Sequence, residues 1–234
     1  MNKMIKTIKL VSMLSVVALG LSGCAGSFIT KEEAFPKMYQ ARPVSILVIP
    51  AVNNTTAAEA TEYYATTVAE PLTRMGYYVL PIEVTNRLIQ EQGVVDGAQL
   101  ANVDAGLFKT MYGADAVMYV KINQWDTSYF VVGGSVTVGI AYELVSTTSK
   151  EVLWQYADTV VVDTGGGNSG GGLIGAIIST AINTAMTDYV PLAKQVNYTA
   201  LSTMPYGDYH AQSGMDQKTQ AVNKNKAGVV AASN

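Results

Sequence analysis

Val44-Ser45-Ile46-Leu47-Val48-Ile49-Pro50 decides the fold. It is a short apolar run, rich in β-branched side chains and closed by proline, and such a run is a strand buried in a sheet. Downstream, Asn53-Asn54-Thr55-Thr56 leads into a helical pattern, with Thr56 and Glu59 spaced as a capping box. Apolar residues at Ala60, Tyr64, Val68, Leu72 and Met75 recur at helical spacing, and Gly76 is placed to end the helix. Pro71 interrupts the pattern and should kink the helix or end it early, because it removes a backbone donor. Tyr77-Tyr78-Val79-Leu80 is a second short strand, stopped by Pro81. Strands joined through a helix are expected to run parallel.

Further helices are expected from about Glu83 to Gln92, closed by Gly93, and from Asp96 to Tyr112. In the latter, Asp96 and Gln99 form another capping box and Leu100, Val103, Leu107 and Met111 the apolar face. After Gly113 the period changes. Ala116 to Ile122 reads as a strand, with Trp125 near its end, and Val136, Val138, Ile140, Tyr142 and Leu144 alternate with Thr137, Gly139, Ala141 and Glu143. Thr147 to Lys150 is a turn, and a strand from Glu151 to Asp163 carries Val152, Trp154 and Tyr156 on one face. These last strands, close in sequence, predict an antiparallel meander. The expected class is therefore α/β (α+β), a mixed sheet of about five strands in the order β-α-β-α-α-β-β-β-α.

A glycine run, Gly165 to Gly172, precedes a strongly apolar helix from about Leu173 to Met186. Gly170, Gly172 and Gly175 satisfy the spacing G-x-G-x-x-G, so the run is either a small-ligand or nucleotide cradle or a flexible hinge; no Lys-Ser/Thr pair follows as a phosphate-binding loop requires. Leu173, Ile174, Ile177, Ile178, Ala181 and Ile182 make the helix apolar nearly all round, which suits packing on its own sheet or contact with another subunit or partner. It falls short of the ~20 residues that span a bilayer.

Upstream of the first strand, Lys3, Lys6 and Lys9 form a positive n-region, an uncharged run follows from Leu10, and Leu21-Ser22-Gly23-Cys24 closes it. This is similar to the lipobox of bacterial lipoproteins, in which the cysteine thiol receives a diacylglycerol, the preceding peptide is removed and the new amine is acylated. Cys24 is the one cysteine of the chain, so it has no disulfide partner within it. Ala25, rather than aspartate, follows it, and by the lipoprotein rule this implies the outer membrane, periplasmic face, with surface exposure left open. The expected organisation is a signal peptide over 1–23, a tether over 24–43, a globular domain over 44–200 and a polar, disordered tail over 201–234.

Removing 1–23 leaves 12 basic against 18 acidic side chains, a balance that disfavours nucleic acid as a partner. The one histidine, His210, lies in the polar C-terminal stretch, so imidazole-rich zinc sites and Ser-His-Asp or Cys-His catalytic arrangements fail on inventory. No metal, cofactor or catalytic residue is expected. Asp115, Asp126 and Glu143 are the acids to test as a carboxylate pair for glycan hydrolysis, against the reading of isolated surface acids. The 14 tyrosines against 4 phenylalanines suit half-buried surfaces, whether at partner contacts or at the core's rim.

The order of these features resembles a known group. The strand Val44 to Pro50 followed by Asn53-Asn54, the helix end Leu72-Thr73-Arg74-Met75-Gly76-Tyr77, the Gly113-Ala114-Asp115-Ala116-Val117 entry to a strand, and Lys150-Glu151-Val152-Leu153-Trp154 resemble the lipoprotein family typified by a genome-derived neisserial surface antigen. That family is related to the curli secretion channel CsgG and to the TolB N-terminal domain. The resemblance, over roughly Val44 to Asn197, implies a TolB N-terminal-like domain serving as an accessory of an envelope assembly or secretion system. A CsgG-like lipoprotein or another copy of the chain would be its partner. Two other readings remain open: a regulator of a cell-wall synthase, and a small-ligand binder using Gly165 to Gly172.

Overall fold

The computed structural model describes residues 29–130, 133–163 and 189–221. Helices α1 (Lys31–Ala34) and α2 (Pro36–Ala41) precede strands β1 (Ser45–Val48) and β2 (Val52–Asn53), and α3 (Ala60–Arg74) leads to β3 (Tyr78–Val79). Helix α4 (Ile82–Glu91), a 3-10 turn (Gly97–Leu100) and α5 (Ala105–Tyr112) then lead to β4 (Ala116–Phe130), β5 (Gly133–Ser146), β6 (Val152–Asp163) and α6 (Val190–Leu201). The sheet has the order β3-β1-β4-β5-β6, with β2 also on β4. As the sequence implies, it is mixed: β1 runs parallel to β3 and β4, and β4, β5 and β6 form an antiparallel meander. β1 and β2 both pair with β4, Val48 with Met118 and Val52 with Lys121, so they form one course interrupted at Pro50. Gly97 is needed at that interruption, since a Cβ there would lie 2.1 Å from the Pro50 carbonyl oxygen.

Alternation in β1 explains why the sheet is covered twice. Ile46 and Val48 face Met118, Ile122, Tyr142 and Trp154 in the core beneath α3 and α6. Leu47 and Ile49 face the other way, toward Ile89, Leu100, Phe108 and Val117 beneath α4 and α5. Between α3 and α6 runs a buried polar seam. The Tyr142 hydroxyl donates to Asn197 Oδ1 at 2.6 Å, and Asn197 Nδ2 donates to Thr67 Oγ1 at 2.8 Å.

Several local expectations give way, each for a physical reason. Helix α3 starts at Ala60 without a Thr56–Glu59 box, because the Asn53 side chain captures this stretch first. Asn53 accepts from the Thr55 N–H and hydroxyl and donates to the Ala57 carbonyl, a local bonding pattern that competes with helix. Pro71 does not end α3 early; the helix continues to Arg74, and the Met75 N–H donates to the Pro71 carbonyl. The long helix expected from Asp96 is two pieces. The Asp96–Gln99 box forms, but it caps the 3-10 turn, and Asp104 starts α5 afresh by accepting the Gly106 N–H at 2.8 Å. The restart changes the phase. Ala105 and Phe108 point inward, while Leu107 and Met111 are each 51% exposed. In β6 the register shifts between Leu144, which pairs with Trp154, and Val145, which pairs with Val152. Leu153 is the extra residue, so Val152 joins the core opposite to that of Trp154 and Tyr156.

The larger correction concerns the ends. The tether expected through residue 43 is folded from residue 29 onward, and the tail expected from residue 201 is folded through residue 221. Phe35 and Met38 are buried in the main core, as are Met204 and Ala221. The Ala221 N–H donates to the Ile29 carbonyl at 2.7 Å, and Thr30 bridges to Gln220. Lys31 Nζ donates to the Met204 carbonyl at 2.8 Å and to Asp216 Oδ2 at 3.1 Å, and lies 4.8 Å over the Tyr206 ring. Asp216 also accepts from the Tyr39 hydroxyl and the Tyr206 N–H, both at 3.0 Å. This network satisfies a buried carboxylate with donors from both ends of the described chain. Short helices and loops of mixed composition show no period, so nothing local announces the closure.

Gly76 seats the C-terminal segment. Its φ of +89° needs glycine, and a Cβ would lie 2.4 Å from the His210 nitrogen. His210 stacks on Tyr206 at 3.7 Å between ring centres, and its Nδ1 accepts the Gln212 N–H.

Candidate functional site

The face covered by α4 and α5 carries both features that stand out. The first is apolar surface. Helix α4 buries Thr85 and Ile89, and Val84 and Leu88, one position earlier in each turn, lie roughly 100° round the helix and are exposed. Helix α5 repeats the arrangement, with Phe108 inward and Leu107 and Met111 outward. Between the two helices Val95 is 83% exposed.

The second is a cleft of about 480 Å³ between the 101–105 turn and strands β4 to β6. Its polar lining is Asp104, Lys150, Glu143, Lys121, Asn102 and Tyr119. The register sets this arrangement: Glu143 lies opposite Tyr119, and Lys121 opposite Ala141. Asp104 and Lys150 are paired at 2.5 Å, and the Lys150 ammonium followed by the Gly106 N–H holds the Asp104 carboxyl below the usual range. Burial pushes the Glu143 carboxyl up, and Lys121 pulls the other way. Burial, then Glu143 and Asp104, push the Tyr119 phenol up to about 12.

The three acids considered from the sequence do not form a pair. Asp115 lies one residue before β4, four positions from the Tyr119–Glu143 row, or ~13 Å at strand rise; Asp126 is seven positions beyond that row, ~23 Å. A hydrolytic pair needs carboxyls within ~10 Å of one another. Asp115 is a structural staple. It accepts from the Val44 and Ser45 N–H groups, the Ser45 hydroxyl and, at 2.6 Å, Lys109 Nζ. Burial alone would raise its carboxyl, but Lys109 and the Ser45 donors outweigh it and hold the group at about 2. Asp126 accepts from Gln124 Nε2.

Cys24, the Gly165 to Gly172 run, and Leu173, Ile174, Ile177, Ile178, Ala181 and Ile182 lie outside the described residues. Among the described residues no three His, Cys, Asp or Glu side chains converge to hold a metal ion, and no helix is long and apolar enough to cross a membrane. Sequence reasoning placed Glu143 at a polar, alternating position, which is correct. It missed the cleft, because that depends on α5 starting at Asp104 and roofing part of the sheet's second face.

Comparison with known proteins adds the lineage. The family model for GNA1162-like lipoproteins matches residues 34–208. Lipoprotein NMB1124/NMB1162 of Neisseria meningitidis serogroup B is 29% identical over 161 residues, spanning 69% of this chain and 74% of its own. The crystal structure of lipoprotein GNA1162 from Neisseria meningitidis is similar at a TM-score of 0.51 and 29% identity, over 60% of this chain and 96% of that one. A fainter likeness, at a TM-score of 0.38 and 17% identity over 67% of this chain and 89% of the other, is to the PelC dodecamer from Paraburkholderia phytofirmans.

Proposed function

This chain belongs to the GNA1162-like lipoprotein family, and from that premise we propose that it is an accessory component of an envelope assembly or secretion system. It is anchored through acylated Cys24 on the periplasmic face of the outer membrane and acts by protein contacts rather than by catalysis. The observation that carries this reading is the pair of apolar steps, Val84 with Leu88 and Leu107 with Met111, on one helical layer. Single exposed apolar residues are ordinary, but paired ones on two helices that cover the same sheet face are the pattern of a surface that a partner covers.

The anchor restricts which partner. The described residues begin at Ile29, five residues after Cys24, and even a fully extended chain of that length reaches only ~18 Å. The domain therefore works against the bilayer, within reach of another envelope lipoprotein of the CsgG-like kind or of a second copy. Val84→Glu with Leu88→Glu, and Leu107→Glu with Met111→Glu, are the test, by pull-down and cross-linking of the lipidated protein from envelope extracts. Loss of the recovered partner with unchanged thermal unfolding supports the reading; full recovery by both variants overturns it. Mass spectrometry of Cys24 tests the anchor, and an unacylated sulfur would refute it.

A further inference from the structure

We propose that the cleft between the 101–105 turn and strands β4 to β6 binds a small zwitterion, an α-amino acid with an apolar side chain. Its charged residues divide into two pairs. Asp104 and Lys150 neutralise each other at 2.5 Å, and Asp104 is further committed to the Gly106 N–H. Glu143 and Lys121 feel each other's charge but make no direct bond: of the hydrogen bonds and ion pairs among the described residues, none involves either side chain. They stand on the same sheet face as diagonal neighbours, with Glu143 in the row of Tyr119 and Lys121 in the next row on that face.

Diagonal neighbours on antiparallel strands have Cα atoms roughly 7–8 Å apart. That leaves room for an ammonium and a carboxylate carried on one carbon to sit between the two side chains. The ligand ammonium would supply the half-buried Glu143 carboxylate with the donors it lacks, and Lys121 would meet the ligand carboxylate. Hydrogen bonds between ionised groups are the strong ones, and the low dielectric of a cleft reinforces them.

The apolar part of the ligand follows from the remaining lining. Ala141, Val145 and Val152 form the sheet side, and Val103 and Ala105 face them from the turn. Val152 is there because the Leu153 bulge turned it to this face. The charge balance is discriminating, since two cations and two anions line the cleft. A phosphate-bearing ligand would meet Asp104 and Glu143, and a polyamine would meet Lys121 and Lys150. The volume of about 480 Å³ lies within the ~300–1,000 Å³ of small-ligand sites.

The test uses the full mature protein in detergent, with L-leucine as probe and N-acetyl-L-leucinamide, which lacks both charges, as control. Titration calorimetry and ligand-observed NMR should detect leucine and not the amide. Glu143→Gln and Lys121→Met should each weaken leucine by at least about tenfold. Thermal unfolding of each variant is measured first; should Glu143→Gln unfold, Lys121→Met, an exposed position, decides alone. No leucine signal up to about 10 mM, or equal binding of leucine by wild type and the folded variants, overturns the proposal. Binding of the amide as tightly as leucine overturns it as well, since the charges would then play no part.

Discussion

Over one face of the sheet, α3 and α6 lay 15 and 12 residues of helix; over the other, α4, the 3-10 turn and α5 contribute 10, 4 and 8. The difference is one of closure. Under α3 and α6 lie Trp154, Tyr64, Tyr142 and Leu201, and the seam through Asn197 pairs the Tyr142 and Thr67 hydroxyls, which burial would otherwise penalise. The ends of the described chain fold onto the same core and lock it through Lys31 and Asp216. The second face has a smaller core, half-exposed apolar side chains and a cleft that keeps a carboxylate and an ammonium without hydrogen-bond partners. Stability is concentrated on the first face, and the groups free to bind something lie on the second.

The comparison breaks most visibly if the lock is cut. Lys31→Met leaves the buried Asp216 with its Tyr39 and Tyr206 donors but without its counter-charge, and should cost about 3–5 kcal/mol in denaturant unfolding. Adding Asp216→Asn, which removes the charge but keeps an acceptor for the Tyr39 and Tyr206 donors, should recover much of that loss, and a double variant as unstable as the single one would show that the ion pair is not the cause. Asn197→Ala orphans the Tyr142 hydroxyl, while the Thr67 hydroxyl keeps its bond to the Tyr63 carbonyl, and should cost about 1–3 kcal/mol, with Tyr142→Phe partly relieving it.

Asp115→Asn should cost about 1–2 kcal/mol, by weakening the contacts to Lys109 and Ser45. Its pH signature has a definite sign. The folded carboxyl is held at about 2, below the ~3.9 of an unfolded aspartate, so its contribution is complete above about pH 4 and is lost as pH falls toward 2. An acid-unfolding midpoint unchanged by Asp115→Asn would refute this. Smallest of all, the glutamate substitutions at Val84, Leu88, Leu107 and Met111 should move stability by within about 0.5 kcal/mol each, and would sharpen the contrast by acting on assembly alone.

The regular half of the fold was legible. The apolar run at Val44, the alternation from Val136 to Leu144 and the stop at Gly113 carry their periods in the chain, and the strands appear where those periods lie. The irregular half was not. Asn53 displaced a box that looked as good on paper as the Asp96–Gln99 box that formed, since two local bonding patterns competed and spacing alone does not rank them. The restart at Asp104 turned an expected apolar face outward, and one extra residue at Leu153 sent Val152 to the other core.

By itself, then, the sequence determined the strands between Val44 and Asp163 and the mixed sheet they form, because each is written in neighbouring residues through period, cap or motif. Tertiary structure alone decided that Lys31 meets Asp216 across 185 positions and that Glu143 and Lys121 share a partly roofed cleft. Such partnerships are set by where the chain closes on itself, and the free energy that selects the closure is spread over the whole core rather than held in any one stretch.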